Sequence, residues 1–310
     1  MNWLFAAVLA LQVTGVWGWI SPQNRVDLTN LALGHSAIGA AAPAAAVTPT
    51  LSGLALPVTV GGATAAPAIP DGVAAYALDV SSGTVLYAAG ATVERPIAST
   101  TKLMTALVIL GVHDPNERVI VPTLPAYPSD AELIGLVPGE SYSVLDLAQL
   151  MLVASDNDAA DSLAIIDSGS VSAFTAKMNA KAAEWGITGA HFASASGLVD
   201  TGNTVSAEAL AHIALLALRN PLIRETVLKQ SVSVTSGGGR QIIQNTTDTL
   251  LASGQFYGIK TGYTGAAGQC FVGLTKITGH EVITVVLGSG DRFGDTQQLA
   301  SWISQNYQWF

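Results

Sequence analysis

IASTTKLMTALVIL (residues 97–110) combines an apolar run long enough for a buried helix with Ser99 and Lys102 three residues apart at its start. At the opening of a helix, positions i and i+3 share a face, so the hydroxyl and the amine point the same way. Leu103, Met104, Ala106, Leu107, Val108, Ile109 and Leu110 surround Lys102 with apolar surface, and Gly111 and Pro115 end the helix. Such surroundings disfavour the ammonium form. Bringing an amine from ~10.4 to near 7 costs about 4 kcal/mol. The neutral amine that results, one turn from a hydroxyl, is a general base for a nucleophilic serine. The helix N-terminus adds backbone N–H groups and the positive end of a dipole, both suited to an oxyanion. Standing alone, the four residues equally fit a serine N-cap beside a lysine whose stem lies along the surface.

Two further triplets change the balance. Ser155-Asp156-Asn157 closes a helical pattern over 143–154, at a junction where one side chain can relay a proton and another can hold a substrate amide. Its plain alternative is helix capping, for which all three residue types are favoured. Lys260-Thr261-Gly262 lies in the strand-like FYGIKTGYT, where a lysine and a hydroxyl together can bind a carboxylate. Gly262 admits the close approach of another backbone, as when a peptide adds to a sheet edge.

SxxK, SDN and KTG in this order are the signature of penicillin-binding proteins and class A β-lactamases. ERPIASTTKLMTA, ASDNDAADSLA, FASASGLVD and GIKTGYTGAAGQCFVG extend the likeness, and over residues 71–310 the chain resembles the serine D-alanyl-D-alanine carboxypeptidases, the low-molecular-weight penicillin-binding proteins. The resemblance implies that Ser99 is the acylated nucleophile, Lys102 its base, and Ser155 the proton relay. It makes Asn157 the substrate-amide ligand and assigns Lys260 and Thr261 to the terminal carboxylate. It places the oxyanion between the backbone N–H groups of Ser99 and Tyr263. The implied reaction removes the terminal D-alanine of a peptidoglycan pentapeptide through an acyl-serine, without cofactor or metal, and β-lactams are the implied inhibitors.

The wider pattern suits that assignment. Short β-rich runs at 72–80 and 84–88 are split by Ser81-Ser82-Gly83, a hairpin signal. Helices are expected at 143–154, opened by a Ser143/Asp146 capping box, and at about 158–167, 171–185 and 205–218. Strands are expected near 230–235, 256–262, 269–277 and 281–288, then a closing helix over 294–308. Strands at both ends with helices between predict an α+β fold, an antiparallel sheet built from both ends of the domain with an inserted helical lobe. By the resemblance, this is the β-lactamase/transpeptidase-like α/β sandwich.

Ahead of the domain, residues 3–20 carry no charge, long enough for a membrane helix or the apolar part of a secretory signal. Arg25 follows the run and no basic residue precedes it, so charge leaves its topology open. Residues 1–24 are therefore read as a signal or anchor, 25–70 as an Ala/Pro-rich linker and 71–310 as the catalytic domain. Pro43, Pro49, Pro57, Pro67 and Pro70 argue against regular structure in the linker. The expected location is extracytoplasmic, with the membrane as partner through the N-terminal segment. Fifty residues follow Lys260, enough for two strands and a helix, so anchoring is not expected from the C-terminus.

Composition removes other classes. With 13 Lys+Arg against 22 Asp+Glu, a net charge of −9, no basic stripe is present to meet nucleic-acid phosphates. One cysteine, Cys270, excludes an internal disulfide framework, and His35, His113, His191, His212 and His280 form no zinc-like spacing. No GxSxG elbow or P-loop occurs; Gly237-Gly238-Gly239 reads as a hairpin loop. A class A β-lactamase would add a glutamate in an ExxLN segment, and Glu184, Glu208 and Glu225 lie in no such pattern. A D,D-endopeptidase, which uses the same residues on a longer substrate, and a non-catalytic penicillin- or wall-binding module complete the alternatives.

Overall fold

The computed structural model describes residues 55–60, 65–198 and 202–310, all within the second of the chain's two units, Thr50–Phe310. The proposed signal or anchor at 1–24 and residues 25–54 of the linker lie outside the described residues. In chain order the elements are β1 (Pro57–Thr59), β2 (Ala74–Asp79), β3 (Val85–Ala89), β4 (Arg95–Pro96), α1 (Lys102–Leu110), β5 (Arg118–Ile120) and β6 (Ser141–Ser143). Next come α2 (Val144–Val153), α3 (Asn157–Ser168), α4 (Val171–Glu184), β7 (Ala190–His191), β8 (Thr204–Val205), α5 (Ala207–Arg219) and α6 (Pro221–Val227). The chain finishes with β9 (Ser231–Thr235), β10 (Gln241–Asn245), β11 (Phe256–Thr264), β12 (Gly268–Ile277), β13 (His280–Ser289), α7 (Arg292–Asn306) and β14 (Tyr307–Trp309).

The main sheet has the order β11-β12-β13-β2-β3, antiparallel throughout, so strands from both ends of the unit meet at the β13–β2 pair. The α+β architecture with an inserted helical lobe is thus what the chain adopts. β2 reads AAYALD without polar alternation because both its faces are covered. Ala74, Tyr76 and Leu78 enter the large core shared with the helices, whereas Ala75 and Ala77 pack with Leu299 and Ile303 of α7.

α1 runs through the helical lobe with Leu103, Met104, Ala106, Val108 and Ile109 buried against α2, α4 and α5. Each fully buried Leu, Ile or Met contributes about 1.5–3 kcal/mol by leaving water, enough to offset placing Lys102 in the same helix. α2 opens with the expected capping box: Ser143 Oγ accepts from Asp146 N at 3.0 Å, and Asp146 accepts from Ser143 N at 3.1 Å. α3 ends at Gly169, whose φ of 77° supplies the left-handed cap.

Three features depart from the sequence expectation. Residues 57–59, read as linker, form β1 and pair antiparallel with β14. Leu56 N donates to Phe310 O at 2.9 Å and Phe310 N to Leu56 O at 3.2 Å, so the folded unit starts before Asp71. Proline at the start of an edge strand forgoes a ladder donor that the strand does not need, which is why Pro57 fits there. The strand near 230–235 is β9, but it pairs with β10 as a separate hairpin rather than joining the main sheet. Its Val232 and Val234, with Ile242 of β10, pack into the large core. Lastly, α6 fills the interval between the expected helix and strand, and Asn220 at its cap with Pro221 at its first position is the signal that marks it.

Candidate active site

Ser99 and Lys102 lie where a short 3₁₀ turn, Ala98–Thr101, runs into α1. Ala98 has a φ of 47°, a left-handed conformation that costs a non-glycine residue roughly 1–2 kcal/mol. That turn leaves Ser99 half-buried at the lip while Lys102 is fully buried. Gly197, with a φ of +76°, backs the turn: a Cβ there would lie 2.0 Å from the Ala98 carbonyl oxygen and 2.8 Å from Thr101 Oγ1. Asn203 braces the same turn by donating from Nδ2 to Thr101 Oγ1 at 2.9 Å.

Lys102 Nζ is 2.8 Å from Ser99 Oγ, from Asn157 Oδ1 and from the Ser196 carbonyl. Burial, reinforced by the charge of Lys260, lowers its pKa to about 7, while Glu132, Asp161 and Asp156 oppose the shift. The geometry then sorts the protons. A neutral amine has two N–H groups and one lone pair; the two carbonyl acceptors engage the N–H groups, and the lone pair is left facing the Ser99 hydroxyl.

Asn157 opens α3 and is 2% exposed, as is Ser155, whose φ of 71° is again left-handed. The side chain of Asn157 is fixed from both ends, with Oδ1 on Lys102 and Nδ2 donating to the Glu132 carbonyl at 3.0 Å. Asn157 N donates to the same carbonyl at 2.9 Å. Between the two, Asp156 is buried with one carboxylate oxygen unpartnered; burial and the neighbouring Asp158 push its pKa up to about 8.

On the other wall, β11 presents Lys260, Thr261 and Gly262 to the nucleophile turn. A Cβ on Gly262 would lie 3.1 Å from both Ser99 N and Thr100 N, so glycine lets the strand backbone close on the Ser99 amide. Lys260 is 1% exposed, and burial lowers its pKa to about 8. Among the described residues the Thr261 carbonyl, at 3.1 Å, is the acceptor its Nζ has, which leaves its other donors for a ligand. Thr261 Oγ1 shares a 2.5 Å hydrogen bond with Thr247 Oγ1. Tyr263, next along, has an exposed side chain while its backbone pairs in register with Gln269.

The structure therefore gathers Ser99, Lys102 and Asn157 by direct hydrogen bonds and brings Gly262 of β11 against the Ser99 turn, while Ser155 is buried two residues before Asn157 with no hydrogen bond to Ser99 or Lys102 among the described residues. Sequence reasoning missed the carbonyls of Glu132 and Ser196, because a main-chain acceptor has no residue-type signature. It also missed Arg292, which donates to the Gly262 carbonyl at 2.9 Å from the first turn of α7 and adds a second cation beside Lys260. Cys270 is fully buried, and burial pushes its thiol up to about 11.

Comparison with known proteins matches residues 63–291 to the Peptidase S11 family model, described as D-alanyl-D-alanine carboxypeptidase. The D-alanyl-D-alanine carboxypeptidase DacB2 of Mycobacterium tuberculosis is 35% identical over 223 residues, 71% of this chain and 76% of that one. The D-alanyl-D-alanine endopeptidase of Escherichia coli is 31% identical over 244 residues, 76% of this chain and 78% of the other. Penicillin-binding protein D2 of Listeria monocytogenes, solved with ampicillin bound, superposes with a TM-score of 0.64 at 33% identity, covering 74% of this chain and 96% of that one.

Proposed function

The chain belongs to the Peptidase S11 family of D-alanyl-D-alanine carboxypeptidases, and on that premise we propose that it removes the terminal D-alanine of peptidoglycan stem peptides by way of an acyl-enzyme on Ser99. The observation that carries this reading is the buried Lys102 amine held 2.8 Å from Ser99 Oγ with two carbonyl acceptors occupying its protons. In the proposed cycle Lys102 takes the Ser99 proton as Oγ attacks the carbonyl carbon of the D-Ala-D-Ala bond. The N–H groups of Ser99 and Tyr263 receive the oxyanion, each such donor contributing ~3 kcal/mol in the transition state. Ser155 passes the proton to the departing D-alanine amine, and water then releases the acyl group with Lys102 again as base. Asn157 holds the acyl-side amide through its remaining Nδ2 proton. Lys260 and Thr261, with Arg292 behind them, hold the terminal carboxylate. β-Lactams, which carry an equivalent acyl group and carboxylate, enter the same cleft.

The direct test is D-alanine release from a synthetic peptide ending in D-Ala-D-Ala, measured as kcat/KM against pH. Lys102 must be neutral, so activity rises as pH passes about 7. Lys260 must be charged, so activity falls as pH passes about 8. The charge of Lys260 lowers Lys102, so the two limbs are linked and the optimum is narrow. A profile flat from pH 6 to 9 would remove both lysines from these roles, and the absence of released D-alanine would end the carboxypeptidase reading.

We further infer an extracytoplasmic protein held at the membrane by residues 3–20. Their uncharged composition supports this reading, as does a substrate that lies outside the membrane. Recovery of the full chain in the soluble cytoplasmic fraction would count against it. Among the described residues no helix is long and apolar enough to cross a membrane.

A further inference from the structure

One exposed carboxylate on the rim of the cleft takes part in no contact found among the described residues. Glu132 lies in the segment between β5 and β6, and its carboxylate enters no hydrogen bond or ion pair there. Its main chain, in contrast, is firmly placed. The Glu132 carbonyl accepts from both Asn157 N and Asn157 Nδ2. Two residues on, the segment is clipped to α3, where Asp158 accepts from Ile134 N at 3.4 Å and from Leu136 N at 2.9 Å. From the opposite direction Arg240, beyond the turn of the β9–β10 hairpin, donates to the carbonyls of Ile134 and Gly135. The Tyr127 hydroxyl reaches Asp161 at 3.0 Å.

The position of this charge is informative. The Glu132 carbonyl holds Asn157 by two hydrogen bonds, so the residue flanks the cleft, and its exposed carboxylate bears electrostatically on Lys102 and Lys260. Lys260, Thr261 and Arg292 form the cationic end, where a substrate carboxylate belongs. Glu132 instead flanks Asn157, the residue assigned above to the acyl-side amide. A substrate residue lying just before the D-Ala-D-Ala pair would pass this carboxylate, and a protonated amine on its side chain would find the counter-charge there.

We propose that Glu132 selects stem peptides in which the residue preceding D-Ala-D-Ala carries a free, protonated side-chain amine. In a stem that has served as the acceptor of a crosslink that amine has become a neutral amide, so the same carboxylate discriminates such a stem from one whose amine is still free. The proposal rests on the D,D-carboxypeptidase reading and deepens it.

The test compares D-alanine release from Nα-acetyl-L-Lys-D-Ala-D-Ala and from its Nα,Nε-diacetyl counterpart, in the natural protein and in Glu132→Gln and Glu132→Lys. The readout is the ratio of the two kcat/KM values within each protein, so a general loss of activity cancels. The natural protein should prefer the free amine about fivefold at low salt, the reach of a solvent-facing ion pair. Added salt should shrink that preference. Glu132→Gln should bring the ratio to about 1 and Glu132→Lys should invert it. If Glu132 acted only by tuning the lysines, both peptides would shift together in pH dependence and the ratio would survive Glu132→Gln. That outcome, or a natural protein that releases D-alanine equally from both peptides, overturns the proposal while leaving the carboxypeptidase reading in place. Release from neither peptide sinks that reading, and this one with it.

Discussion

Benzylpenicillin is expected to leave no adduct on the Ser99→Ala protein, whereas the natural protein gains one whole β-lactam in intact mass. Ring opening by Oγ transfers the acyl group without loss of atoms, so the mass change reports the covalent step alone. Removing a catalytic nucleophile commonly lowers turnover by about 10⁶, and alanine offers nothing to replace it. The variant should remain folded for a structural reason. Lys102 loses one of three contacts but keeps Asn157 Oδ1 and the Ser196 carbonyl, and Ser99 is only half-buried. The loss of one such hydrogen bond costs about 1 kcal/mol, a shift of a few degrees in Tm for a unit of this size. An adduct that persists in Ser99→Ala would mean another nucleophile. Penicillin consumed by the natural protein with no adduct at any time would mean fast deacylation and would favour the β-lactamase alternative.

Gly197→Ala should be the most damaging single methyl group in the described structure. At a φ of +76° an alanine pays the left-handed penalty of roughly 1–2 kcal/mol before any contact is considered. Its Cβ would then lie 2.0 Å from the Ala98 carbonyl oxygen and 2.5 Å from the Ala98 carbonyl carbon. Both are backbone atoms of the turn that carries Ser99, so no rotamer change relieves the overlap. The turn must move, and it cannot do so freely, because Asn203 and the close approach of Gly262 hold its other sides. A loss above ~4 kcal/mol is expected, or about 10 °C in Tm. Whatever fraction still folds should react more slowly with benzylpenicillin. Gly290→Ala is the matched control, since a Cβ there meets nothing within 4 Å. If Gly197→Ala were no less stable than the control, the turn would be far more pliant than its packing indicates.

The parts of the molecule that could be read from the chain are those where residue type carries the physics. Ser99, Lys102 and Asn157 are connected through side-chain atoms, and the capping box of α2 follows from Ser143 and Asp146 alone. The helical and alternating periods located α3, α4, α5 and the three strands β11, β12 and β13 to within a few residues. What escaped is backbone-mediated or depends on a distant partner. The Glu132 and Ser196 carbonyls could belong to any residue type. β1 is defined by β14 at the far end of the chain, and its own Pro-rich surroundings point away from a strand. β9 carries an ordinary alternating pattern that says nothing of whether it joins a sheet of five or pairs with β10 alone. Arg292 lies 32 residues beyond Lys260 and reaches the site only because α7 starts where β13 ends.

The meeting of β2 with β13 also sets a timetable for synthesis. Asp79 pairs with Val282 and Ala74 with Leu287, partners separated by roughly two hundred residues, so the middle of the sheet has no complement until most of the chain has been made. Until then the β2–β3 hairpin carries an open apolar edge, and two strands alone are marginal in water. The lobe that bears Lys102 and Asn157 can condense earlier from local contacts, but Lys260 arrives only with the late strands. The reactive cleft is therefore among the last things to exist on a nascent chain. A ribosome stalled before β13 would hold a protein with its nucleophile made, its central strand unpaired, and a strong call on any chaperone able to cover an exposed edge.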